Sequence, residues 1–134
     1  MKKTLTFTAL FCIATLATFT LAADDDATLK KLAGTWSGHR LAGGMDEPKK
    51  GPALTLTISN NDVSSDKNRA GTFTLDTSQK PYHMNGIKDA NTIHEGILKL
   101  KGKTLIWCVG DPGKPRPTTF ETKSGQWCML LDKK

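Results

Sequence analysis

The stretch ALTLTIS, residues 53–59, decides the fold. Leu54, Leu56 and Ile58 alternate with Thr55, Thr57 and Ser59. Successive side chains of an extended strand point to opposite faces, so this segment presents one oily face and one hydroxyl face. Isoleucine and the threonines are β-branched and suit a pleated backbone.

The same alternation extends outward in both directions. GTFTLDT, residues 71–77, turns Phe73 and Leu75 to one face. TWSGHRL, residues 35–41, reads as a strand with Trp36 on one face. YHMNGIKD, residues 82–89, is a weaker strand in which Asn85-Gly86 reads as a tight turn or a bulge. NTIHEGILKLKGKTLIWCVG, residues 91–110, reads as a hairpin turning at Lys101-Gly102-Lys103. TTFET (118–122) resumes β structure and WCMLLDK (127–133) is a final apolar strand. Between them lie polar or proline-rich loops: GGMDEPKKGP (43–52), NNDVSSDKNRAG (60–71) and DPGKPRP (111–117). DDATLKKL (25–32) gives one or two helical turns, with Asp25 or Asp26 as cap, Leu29 and Leu32 on one face, and Gly34 as the stop. About eight short, evenly spaced strands and one helical turn indicate an all-β antiparallel barrel or sandwich, and closure into a barrel leaves no exposed edge.

The chain of 134 residues is long enough for one domain. Its first 22 residues are expected to be a signal peptide rather than part of that domain. Lys2 and Lys3 precede an uncharged apolar run, small residues flank a cut after Ala22, and Asp24, Asp25 and Asp26 follow. A retained membrane anchor is the alternative reading. The five threonines inside the run and the cleavage-type residues favour removal, which leaves no membrane span in residues 23–134. The expected location is therefore periplasmic or extracellular. Without the two leader lysines, 17 of the 19 Lys and Arg face 13 Asp and Glu, a net charge of +4. That excess is mild, scattered and not interleaved with aromatics, so nucleic acid is not an expected partner. Cys108 and Cys128 remain, either as a disulfide or as buried thiols in adjacent strands.

Catalytic and metal patterns are sparse. His39, His83 and His94 are the only histidines, and a cross-strand metal set of His83, His94 and Glu95 is disfavoured because it falls short of the usual paired spacing and ligand count. No serine stands in a nucleophile motif, the cysteines sit in apolar strands, and most acids lie in loops or tails. The expectation is a protein without catalytic residues, metal or other cofactor.

LKKLAGTWSG, then GILKLKGKTLIWCVG, then KPRPTTFET and the closing apolar strand occur in an order that resembles an uncharacterised lipocalin-like domain family common in planctomycete bacteria. The resemblance covers roughly residues 29–134. Leu98 stands where that family usually has an aromatic, and Lys103 where it has an acid. What the resemblance implies is a small up-and-down, calycin-like β-barrel with one short N-terminal helix, exported or surface-associated, and no activity. In the wider lipocalin group a Gly-x-Trp near the first strand packs across the closed end of the barrel, and an arginine often stacks on that ring. Gly34-Thr35-Trp36 matches the first feature; Arg116, or alternatively Arg40, is the candidate for the second.

Two functions fit such a barrel. A small hydrophobic or amphipathic ligand would sit inside, against Trp107, Phe73 and His94, with Leu54, Leu56 and Ile58 nearby and Arg116 as a polar contact. His94 shares its parity with Leu98 and Leu100 and so points inward. Alternatively these side chains simply fill the core, since about 110 residues make short strands, and the protein is a cell-envelope interaction module contacting its partner through the loops 43–52 and 111–117.

Overall fold

The computed structural model describes residues 23–43, 50–66 and 69–134. The leader expected at residues 1–22 and most of the 43–52 loop lie outside them. The described residues form helix α1 (Ala23–Leu32) and strands β1 (Gly34–Leu41), β2 (Lys50–Ser59), β3 (Asp62–Ser65), β4 (Ala70–Asp76), β5 (Tyr82–Asp89), β6 (Thr92–His94), β7 (Gly96–Lys101), β8 (Thr104–Gly110) and β9 (Gln126–Lys133). From β1 to β5 and from β7 to β9 each strand pairs antiparallel with the next, β5 serves both β6 and β7, and β9 returns to β1. With β6 and β7 counted as one interrupted strand, the result is a closed eight-stranded up-and-down barrel.

The alternation read in residues 53–59 is what fills it. Leu56 and Ile58 are buried inward from β2, with Phe73 from β4, Met84 from β5, Leu98 from β7, Leu105 and Trp107 from β8, and Met129 and Leu131 from β9. Short turns carry the chain between strands. Asn60 takes a φ of 53°, which asparagine tolerates, and links β2 to β3. Asp76 and Asp89 each turn a carboxylate back onto the backbone two residues on, at 3.0 and 2.9 Å.

One end of the barrel is shut. Trp36 is 1% exposed and its indole N–H donates to Leu32 O at 2.8 Å. Lys133 Nζ lies 5.5 Å from the centroid of the same ring and donates to Lys31 O at 3.1 Å. The last carbonyls of α1, which have no partner within the helix, are thus satisfied by the plug and by a cation. At the other end of the helix, Asp25 accepts from the Thr77 backbone N–H at 2.7 Å and from its hydroxyl at 2.5 Å, which ties α1 across the base to the far wall. The cation over Trp36 is therefore Lys133, and neither Arg116 nor Arg40 stacks there.

A second, smaller core lies outside the wall. Leu41, Ile97, Ile106, Cys108 and Cys128 are buried on the outer face, with Phe120 and Leu130 packed against them. Residues 118–122, expected to be a strand, instead lie over this face and make no ladder. Pro115 and Pro117 remove donors just upstream, and Phe120 is used as a lid. The strand that replaces it in the count is β3, inside the stretch read as a long turn. It was hidden because Val63 is its one apolar residue.

Cys108 and Cys128 are directly opposite in register, and both are thiols. The bonds Asp111 N to Gly125 O and Lys133 N to Lys103 O set the phase of this ladder and make the cysteines a non-hydrogen-bonded pair, the closer of the two kinds. Cys128 donates to Cys108, which lowers the Cys108 thiol below its ordinary range and raises that of Cys128.

Gly96 is a tight point of the wall, crowded from three sides. A Cβ there would meet Met84 O at 2.5 Å, Cys108 O at 2.8 Å and Trp107 Nε1 at 2.9 Å. Two of these are backbone atoms and cannot move aside. Gly96→Ala should destabilise the fold by about 2–3 kcal/mol in urea unfolding, as over-packing does, whereas Gly43→Ala, with nothing within 4 Å of its Cβ, should change it by less than about 0.5 kcal/mol.

Candidate functional site

The end opposite α1 opens into a cavity of about 970 Å³. Leu54, Leu56, Val63, Trp107, Val109 and Met129 line its apolar part, and Trp127 and Pro112 its upper wall. Arg40, Arg69, Lys88, Thr92 and His94 bring polar atoms to it. The space exists because of how Trp107 is placed. Its ring atoms would stand 3.3 and 3.4 Å from a Cβ at Gly86, and its nitrogen 2.9 Å from one at Gly96. The indole therefore lies along the wall, over two glycines on neighbouring strands, rather than across the lumen.

That placement opens the wall itself. β5 pairs with β6 at Gly86–Asp89 and with β7 at Tyr82 and His83, but the rows Met84/Gly96 and Asn85/Glu95 between them are unpaired. The backbone groups left there are satisfied by side chains. From inside, Trp107 Nε1–H donates to Met84 O at 2.8 Å. From outside, Arg116 Nη1 donates to Gly96 O at 2.7 Å and to Asn85 Oδ1 at 2.6 Å, and Gly96 N–H donates to Asn85 Oδ1 at 3.3 Å. Glu95 Oε2 stands 3.9 Å from Arg116 Nη2. Asn85-Gly86 is thus neither a turn nor a bulge. Both residues sit within continuous β5, one receiving Arg116 and the other giving room to the indole.

The residues named from sequence fall into three places. Trp107 and His94 face the cavity, with His94 Nδ1 bonded to Gly110 O at 3.0 Å. Phe73 is 2% exposed and belongs, with Ile58, to the packed floor beneath the cavity rather than to its lining. Arg116 is outside, in the seam, and does not reach the lumen. Gly34 and Trp36 are at the shut base, and Cys108 and Cys128 lie under the 118–122 segment. Sequence reading offered Arg40 only as an alternative cation for Trp36 and missed its place at the cavity. Its guanidinium carbon lies 3.9 Å from the centroid of Trp127, on the cavity side of the wall. Inward parity from Trp36 through Gly38 to residue 40 was the available signal. Among the described residues, no group of three His, Cys, Asp or Glu side chains is arranged as a metal site.

His83, on the outer face beside the seam, titrates below its ordinary value. Burial is the main cause and repulsion from Arg116 the second, against smaller attractions from Asp76 and Glu95.

No protein-family model matches the chain, and neither a curated protein nor a solved structure matches it.

Two measurements probe this seam. Trp107→Phe keeps the aromatic bulk but leaves Met84 O without its donor, so it should cost about 1–3 kcal/mol in urea unfolding. The lowered His83 pKa makes the unfolded chain the better proton acceptor. Its effect is absent well above the ordinary imidazole pKa of about 6.5 and destabilises the fold as pH falls through it. Between pH 7 and pH 5, wild type should therefore lose more stability than His83→Gln.

Proposed function

We propose that this barrel is a non-catalytic carrier for a small hydrophobic or amphipathic molecule held in the open-ended cavity. The observation that carries this reading is the cavity itself. About 970 Å³ of space bordered by leucine, valine, methionine and tryptophan lies between a shut base and an open mouth. Ligand pockets are commonly about 300–1,000 Å³, mostly apolar with a few polar groups. A barrel serving only as an interaction scaffold would be filled at ordinary packing density. The cavity also bears on the expectation that short strands leave little room: with Trp107 along the wall, the upper half of the lumen is spared.

The reading includes export, in keeping with the leader pattern of residues 1–22. The lipocalin-like resemblance supports it in one respect. Gly96 and Arg116, which belong to the motifs that carry that resemblance, meet at the seam that shapes the cavity.

Titration with N-phenylnaphthylamine, a neutral apolar dye, tests the reading. Saturable binding at one site per chain is expected, with Trp107 and Trp127 as nearby energy donors. Leu54→Trp, which adds volume inside the lumen, should weaken binding at least about tenfold while leaving the thermal midpoint within a few degrees. If neither the dye nor any neutral, anionic or cationic amphiphile binds saturably, the carrier reading is wrong.

A further inference from the structure

We infer that the ligand carries an anionic head and that Arg40 receives it at the mouth of the cavity. This rests on the carrier reading and adds the chemistry of the ligand's polar end. Arg40 is half-buried, borders the cavity and is stacked on Trp127 at 3.9 Å. Among the described residues it has no hydrogen-bond or ion-pair partner. Arg116 is the opposite case, with Asn85, Gly96 O and Glu95 all engaged. An inward guanidinium with its donors unused, in a chain with 13 acids, is a charge that the described fold does not itself employ.

The surroundings point the same way. Arg69 and Lys88 are the other charged residues bordering the cavity, and no described aspartate or glutamate borders it. The described acids at this end are turned elsewhere. Asp66 accepts from Thr55 N–H at 3.3 Å and Asp89 from Asn91 N–H at 2.9 Å. Glu95 faces Arg116, and Asp111 is exposed and outside the lining. An arginine lying on an indole keeps its plane fixed and its N–H edges free, which suits the paired oxygens of a carboxylate or a similar oxyanion. Partial removal from water strengthens that contact. Beneath the head, Leu54, Trp107, Val109 and Met129 take the apolar body.

Three probes with the same chain separate head from body: dodecanoate, dodecan-1-ol and dodecyltrimethylammonium, each below its micellar limit and followed by displacement of the neutral dye. Wild type should prefer dodecanoate over dodecanol by at least about tenfold, with the ammonium weakest. Arg40→Gln should weaken dodecanoate alone and bring it within about twofold of dodecanol. Arg40→Lys, which keeps the charge but loses the fork, should fall between, and it decides the matter where Arg40→Gln does not fold. Equal binding of dodecanoate and dodecanol by wild type, or an unchanged preference in the Arg40 variants, overturns the anionic-head inference and leaves the carrier reading standing. Absence of binding by all three and by the dye removes both.

Discussion

The structure turns on a tryptophan that lies along the barrel wall. Trp107 can do so only because Gly86 and Gly96 offer no Cβ on the strands beneath it, and because Met84 O, released from its ladder, takes the indole proton. A buried carbonyl without a partner is costly, so the parted rows of β5 and β7 need both this bond and the Arg116 fork from outside. The interior then divides. Below, Phe73, Ile58, Leu105 and Leu131 pack solidly above Trp36. Above, the lumen stays open.

The two faces of the wall carry different duties. Inside, alternation supplies the core and the lining. Outside, most of the barrel is in water, but β7, β8 and β9 bear Ile97, Ile106, Cys108 and Cys128, which need a cover. The segment after β8 provides it, and in crossing that face it delivers Arg116 to the seam and Phe120 to the cysteines. Gln126 Nε2 holds the segment down through Glu121 O at 2.8 Å and Thr119 O at 3.2 Å. One stretch that looks like a plain proline-rich loop therefore seals the outer core and mends the wall.

Much of the architecture was legible in period two. Residues 53–59 and 71–77 turn inward the side chains that alternation names, and the Gly-x-Trp step places Trp36 at the base. β3 was not legible, because a strand near the mouth has little apolar surface to cover and so carries only Val63 as a signal. The 118–122 segment misled for the converse reason: Phe120 looks like a strand residue, yet its partner surface is on the outside of other strands. The cavity was beyond reach, since its existence depends on an indole lying over two glycines that are distant in sequence from it and from each other. The contact of Arg40 with Trp127 joins the first strand to the last, and nothing local in either segment announces it.

Both ends of the described chain meet at the base. Helix α1 crosses it, and Lys134 N–H bonds Thr35 O at 2.9 Å beside the Trp36 plug. The mouth lies at the opposite pole. A tether, fusion partner or surface linkage added at either terminus thus holds the barrel by its floor and leaves the opening turned outward, free to load and unload.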